Sequence, residues 1–298
     1  MRVLVTGGSG RLGAYVSQDL LDHGHTVVNA DRRPPAGAAP GKAPDYQYRE
    51  TDLADVGQVA GAMTGCDAVI HLGAIPVPYG HADEAIFTRN TQATYAVFQA
   101  ANLLGVRKAA FASSLAPLGM AFGPHPVSPR YAPVDEAHPL LPADPYGLGK
   151  EVDERIGEMF HRLTGMTALA LRFHWIALPE EARASAAAMA ANPERGARVF
   201  WGYVDIRDAA TACRLGVEAE GLGFEVFVIA AADTLSATPT EALLNHYAAS
   251  VERRAAIPGT AGAFSTAKAH RLLGFTPCFS WRDPVDEIDR AARREKQG

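Results

Sequence analysis

Short apolar runs alternate with longer stretches in which apolar residues return every three or four positions, and the alternation persists through the first two thirds of the chain. Val3, Leu4 and Val5 make up the first run, within a strand predicted over 2–6. Leu12, Val16 and Leu20 then fall about one turn apart, the period of an amphipathic helix over 12–23. The same reading predicts strands at 25–30, 46–49, 67–72, 108–113, 167–173 and 224–229. It predicts helices at 55–63, 82–104 and 145–164, an alanine-rich one at 181–191, and another entered through the stretch YVDIRDAA. Strands separated by helices at this spacing pair in parallel through right-handed crossovers, with helices on both faces. The expected fold class is α/β, a doubly wound parallel sheet that binds ligands at the carboxyl ends of its strands.

Residues 31–45 and 114–143 are rich in proline and lack a period, so both are expected as irregular loops, the second over the sheet edge. Past residue 178 the pattern loosens into short elements, with small helices expected to the end. The expected division is a nucleotide-binding domain with the catalytic helix over 1–178 and mainly a small substrate lobe over 179–298. Segments near 200–230 are expected to return to the sheet. At 298 residues, 48% hydrophobic and 20% charged, the chain can bury a sizeable core. No apolar run approaches the ~18–20 residues of a membrane span. A net charge of −5 supplies no general basic surface, so neither nucleic acid nor membrane is an expected partner. Cys66, Cys213 and Cys278 lie far apart, with no CxxC pair and no metal-ligand spacing, and are expected as buried thiols of a reducing compartment. A strand starting at residue 2 leaves no room for an export signal, and a cytoplasmic protein is expected.

Chemistry begins with TGGSGRLG, residues 6–13, between the first strand and the first helix. Gly7, Gly10 and Gly13 follow the spacing G-x-x-G-x-x-G. A glycine turn there lets backbone approach a pyrophosphate and aims the helix's free N–H groups and positive dipole end at it, the Rossmann-type arrangement. The second strand ends near Asp31, where a carboxylate would accept hydrogen bonds from the adenosine ribose and favour NAD. Arg32 and Arg33 follow, and a guanidinium beside the ribose would instead hold the 2′-phosphate of NADP. NAD is the expected cofactor, with NADP left open.

In DPYGLGKEVDE, residues 144–154, Asp144 is placed to cap a helix and Pro145 to open it. Tyr146 and Lys150 then share one face, a turn apart. A tyrosine near pKa 10 becomes a base at neutral pH only if its phenolate gains about 4 kcal/mol, which an ammonium and an oxidised nicotinamide supply together in a partly desolvated site. The strand before this helix ends in FASSL, so Ser113 and Ser114 reach the carboxyl edge, where one hydroxyl would hydrogen-bond the reacting oxygen.

TGGSGRLG, Asp52-Leu53, HLGA at 71–74, Asn90, SSL at 113–115, YGLGK at 146–150, YVDIRDAA and RLLGFTP resemble the motifs of the extended short-chain dehydrogenases/reductases. This NAD-dependent epimerase/dehydratase family includes the uronate dehydrogenases, to which HLG and FASS give partial similarity. The resemblance spans nearly the whole chain. It implies that Gly7, Gly10, Arg11, Leu12, Gly13, Asp31 and Arg32 hold the dinucleotide, with Asp52 and Leu53 at the adenine. His71, Leu72, Gly73 and Ala74 would line its middle together with Asn90, and Lys150 would also bind the nicotinamide ribose. The catalytic set it implies is Ser114, Tyr146 and Lys150, with Ser113 as neighbour. It further implies a homodimer formed by the helices at 82–104 and 145–164.

The pattern departs from the family in two places. LRFHWIALP keeps Arg172 but lacks the Asn and Tyr-Gly-Pro usual for nucleotide sugars, and the C-terminal lobe is short, so a smaller substrate fits better. Leu115 and Ala116 stand where uronate dehydrogenases read Asn-His, so uronate specificity does not carry over. Tyr79, His81, Ser113, Arg172, His174 and Trp175 are candidates to line the substrate pocket, His174 being equally suited to a hydrogen-bonded place at a strand end.

The expected activity is hydride transfer at a secondary alcohol of a sugar-like small molecule. Tyr146 would take the proton, Ser114 steady the oxygen, and Lys150 lower the tyrosine pKa. An epimerase or dehydratase shares the first half-reaction, and a non-catalytic cofactor sensor is the reading from another class. The Gly8-Ser9-Gly10 stretch lacks the spacing of a nucleophile elbow, and neither HExxH nor a P-loop lysine motif is present, so no metal is expected. Asp135, Glu136 and His138 are expected in a solvated loop.

Overall fold

A computed structural model describes residues 1–37, 40–125 and 127–284; the helices expected in the final stretch, 285–298, lie outside the described residues. In chain order the elements are β1 (Arg2–Thr6), α1 (Arg11–Asp22), β2 (Thr26–Asp31), β3 (Tyr46–Glu50), α2 (Val56–Met63), β4 (Ala68–His71), α3 (Asp83–Leu104), β5 (Lys108–Ser114), β6 (Tyr131–Ala132), α4 (Pro145–Thr164), β7 (Thr167–Phe173), β8 (Ile176–Ala177), α5 (Pro179–Ala191), β9 (Val204–Asp205), α6 (Ile206–Glu218), β10 (Phe224–Ile229), α7 (Thr240–Tyr247), β11 (Glu252–Arg253) and α8 (Ala267–Leu273). Seven strands form one parallel sheet in the order β10-β7-β5-β4-β1-β2-β3. The order reverses between β1 and β4, so a crevice opens at their carboxyl ends.

β1 is an unbroken apolar run because both of its faces are covered. Val3 and Val5 pack with Val16 and Leu20 of α1 and Cys213 of α6, whereas Leu4 packs on the other side with Val59 of α2, Phe98 of α3 and Phe160 of α4. Asp144 caps α4 by accepting the Gly147 N–H at 2.8 Å, Pro145 occupies its first turn, and Gly165 ends it in a left-handed conformation at φ 71°. These local signals fix the helix ends at the residues expected from sequence. No helix among the described residues is long and apolar enough to cross a membrane.

Two expectations need correction. The segment 114–143 is knitted into the C-terminal part of the chain: β6 pairs in parallel with β11, and Val134 bridges to Phe264. Leu115, Leu118 and Met120 join Phe200, Trp201 and Phe264 in a third apolar cluster, so its turns enclose a core that its period does not announce. Within it His138 is buried and accepts the Arg130 N–H at 2.9 Å, Asp135 accepts the Tyr131 hydroxyl at 2.6 Å, and Glu136 accepts the Val228 N–H at 2.8 Å. His138 is thus internal rather than solvated, while Asp135 and Glu136 are half-buried and clasp neighbouring segments. Of the cysteines, Cys66 and Cys213 are buried but Cys278 is exposed.

Candidate active site

A cleft of about 1160 Å³ opens at the carboxyl ends of β1, β2, β4, β5 and β7. Gly7, Gly10, Arg11, Leu12 and Gly13 line its floor. Gly7 adopts φ +68°, and a Cβ at Gly13 would stand 2.2 Å from the Gly7 carbonyl oxygen and 2.6 Å from Gly8 Cα. Among the described residues no side chain caps the α1 N-terminus, and Arg11, Leu12 and Gly13 of its first turn line the cleft, a setting suited to an anion. Arg11 is drawn sideways, donating to Glu181 Oε1 at 2.7 Å and to the Ile176 carbonyl at 3.0 Å, which ties the glycine turn to α5 and β8.

Along one arm lie Asp31, Arg32, Asp52 and Leu53. The Asp31 carboxylate accepts the Ser9 and Arg33 N–H groups, both at 3.2 Å, and is thereby fixed at the end of β2. Leu72, Gly73 and Ala74 form the middle wall. Asn90, buried on α3, holds that wall: its amide accepts the Ile75 N–H at 2.8 Å and donates to the Ile75 carbonyl at 3.0 Å. His71 differs from expectation, since it is buried behind the wall and does not line the cleft. Burial and the nearby Lys150 ammonium push its pKa down to about 3, so it is neutral.

Tyr146, Ser114 and Lys150 meet at the deep end. Ser114 Oγ accepts the Ala116 N–H at 3.0 Å and lies on the Tyr146 side, where it favours the phenolate. Burial raises the Tyr146 pKa, and Lys150 and the Ser114 donor act against that rise. The Lys150 ammonium lies 6.0 Å from the Tyr146 ring centroid and donates to the Ala112 carbonyl at 2.7 Å and to Asp153 Oδ2 at 3.0 Å. One of its three N–H bonds is left for the cleft. The geometry separates the two serines: the Ser113 hydroxyl donates to Glu154 Oε1 at 2.6 Å and so points away from Tyr146.

Tyr79, His81, Ser113, His174 and Trp175 line the remaining cleft. His174 takes the strand-end role, its Nδ1 accepting the Trp175 N–H at 2.6 Å and its Nε2 donating to the Val199 carbonyl at 3.2 Å. Burial drives its pKa down to about 4, so it brings no charge to the cleft. Arg172 is the second departure. Its guanidinium grips Glu154 through Nε and a terminal nitrogen, both at 2.8 Å, and it is absent from the cleft lining.

Sequence reasoning overlooked Phe122, whose ring meets Tyr146 edge-on at 6.1 Å, and the lining residues Met120 and Val199, which come from segments without a clear period, as well as Met189 of the alanine-rich α5. It also overlooked Asp153. The signal was present, since Tyr146, Lys150, Asp153 and Glu154 recur at helical spacing on the one face that meets the sheet.

A family model described as the NAD dependent epimerase/dehydratase family matches residues 3–230. The chain is 30% identical over 171 residues to a uronate dehydrogenase of Pseudomonas putida, covering 57% of this chain and 59% of that protein. It is 28% identical over 174 residues to a putative UDP-glucose 4-epimerase of Methanocaldococcus jannaschii, covering 57% of this chain and 54% of the relative. The matched region thus spans under two thirds of these relatives' length. A crystal structure of a short-chain dehydrogenase/reductase superfamily protein from Agrobacterium tumefaciens with bound NAD shares the fold, with a TM-score of 0.71 at 22% identity over 99% of this chain and 98% of that one.

Proposed function

Because this chain belongs to the NAD-dependent epimerase/dehydratase family of extended short-chain dehydrogenases/reductases, we propose that it is an NAD-dependent oxidoreductase acting at a secondary alcohol of a sugar or sugar-derived substrate. One observation carries this reading: Ser114, Tyr146 and Lys150 line the same cleft as the glycine turn, with the Lys150 ammonium 6.0 Å from the Tyr146 ring centroid.

The residues present fit a dinucleotide. The close approach at Gly13 and the uncapped start of α1 suit a pyrophosphate, Asp31 suits the adenosine ribose, and Asp52 with Leu53 suits the adenine. The Asp31 carboxylate disfavours a 2′-phosphate, so NAD is preferred even with Arg32 alongside. NAD, when bound, supplies the hydride acceptor. Tyr146 takes the alcohol proton, Ser114 donates to the same oxygen, and the third N–H of Lys150 would help hold the nicotinamide ribose. The described part of the segment after residue 178 serves mainly as the substrate lobe, contributing Met189 and Val199 to the cleft. A homodimer would form through α3 and α4, which leave Tyr95, Leu103, Leu148 and Leu163 exposed.

Incubation of the protein with neutral aldoses, hexuronates and UDP-hexoses, each with NAD or NADP, tests the assignment by the absorbance of reduced cofactor. Net reduction of NAD is expected. Isomer formation without net reduction indicates the epimerase instead, and no conversion in any class overturns both. Gly13→Ala is expected to weaken NAD binding by about 5- to 150-fold, because overpacking of this kind costs about 1–3 kcal/mol and opens the turn. Calorimetric titration reads it, and unchanged affinity would remove the glycine turn from the cofactor site.

A further inference from the structure

Behind Lys150 a chain of buried polar groups runs from the catalytic helix to the glycine turn. Lys150 donates to Asp153 Oδ2 at 3.0 Å, and both side chains are buried. The Thr94 hydroxyl of α3 lies near Asp153 and favours its ionised form. His71 Nε2 lies 3.1 Å from Thr94 Oγ1, and His71 Nδ1 lies 2.7 Å from Thr6 Oγ1. Thr6 Oγ1 in turn accepts the N–H groups of Leu72 at 3.2 Å and Gly73 at 3.3 Å.

Thr6 already accepts two N–H groups, so its own proton goes to His71 Nδ1. Neutral His71 then carries its proton on Nε2 and donates to Thr94. The Asp153 carboxylate receives Lys150 on Oδ2, while its Oδ1 is buried with no hydrogen-bond partner among the described residues. A buried ion pair is a weak source of stability, since an apolar residue of similar size often serves a fold as well or better. An acid whose one strong partner is Lys150 is better explained by what it does to Lys150.

We propose that Asp153 is a positioning residue of the reaction centre: it holds the Lys150 ammonium protonated and in place beside Tyr146. The inference rests on the assignment of Lys150 to the reaction made above. Burial alone would lower the Lys150 pKa, but the Asp153 carboxylate, with Tyr146 and Glu154 adding to it, raises it. His71 faces the pair from β4 but is neutral, and Glu154 is engaged by Arg172 of β7.

Asp153→Asn keeps the shape and removes the charge. With the anion gone, the Lys150 pKa is expected to fall by about one unit or more. Amine acylation followed by peptide mass spectrometry at mildly alkaline pH should then label Lys150 at least about tenfold faster than in the parent, relative to Lys42, Lys108 and Lys268, whereas Asp153→Glu restores the slow rate. The alkaline limb of the pH profile of kcat should move down with it. An unchanged Lys150 rate in a folded Asp153→Asn protein overturns the proposal. If neither variant folds, a carbon-13 titration of the parent decides: Lys150 is expected to lose its proton above the surface lysines, and a midpoint at or below theirs overturns it. Neither lysine measurement requires turnover, so failure of the assigned reaction and failure of Asp153 are separable.

Discussion

Tyr146→Phe is expected to lower turnover by about 10²–10⁴-fold, the usual worth of a positioned acid-base group, while leaving NAD affinity within a few-fold. The substitution removes one oxygen and leaves the ring packed among Ile86, Ala116 and Phe122. No wall of the cofactor cleft moves, so binding and thermal stability serve as internal controls. The direction follows from the site's electrostatics. Burial raises the Tyr146 pKa in the free protein, and Lys150 and Ser114 only partly oppose this. A bound oxidised nicotinamide would supply a further positive charge that favours the phenolate. Stopped-flow measurement of NADH formation separates the outcomes, because loss of turnover with intact NAD binding supports an enzyme. Full turnover in the variant would take Tyr146 out of the chemistry. An unaltered biological output with chemistry abolished would favour a cofactor-sensing role.

The parts of this molecule legible in sequence are those governed by short-range physics. β1, β7 and β10 read correctly because strands covered on both faces need consecutive apolar residues, and α4 read to the residue because Asp144, Pro145 and Gly165 act locally. The glycine turn was legible for the same reason, since Gly7, Gly10 and Gly13 are needed where backbone meets backbone. Illegible features depend on partners far away in sequence. The fate of 114–143 is decided by β11 and Phe264, more than a hundred residues later. A histidine in HLGA looks like a cofactor contact until the threonines at 6 and 94 close around it. Arg172, at the end of an apolar strand, looks equally like a ligand for substrate, and only the arrival of Glu154 from α4 assigns it to the scaffold.

Glu154→Ala is accordingly expected to destabilise the fold by about 3–5 kcal/mol, the cost of leaving a buried charge without its partner. In a chain of this size that corresponds to a fall in Tm of roughly 6–10 °C. Glu154 accepts both nitrogens of the Arg172 fork at 2.8 Å and the Ser113 hydroxyl at 2.6 Å, so one side chain joins α4 to β7 and β5. Arg172 also donates to the Glu136 carbonyl at 3.2 Å, and Glu136 accepts the Val228 N–H, which extends the junction through the 114–143 segment to β10. Removal of the carboxylate leaves the guanidinium buried with that one carbonyl as acceptor. Glu154→Gln retains an acceptor for Ser113 and for part of the fork, so its loss should be clearly smaller than that of alanine. Double substitution with Arg172→Leu should recover part of the alanine loss, because the orphaned charge is then gone. If Glu154→Ala melts with the parent, the pair contributes little to the fold and Arg172 is again available for substrate. If the double variant is as unstable as the single one, packing rather than charge accounts for the loss.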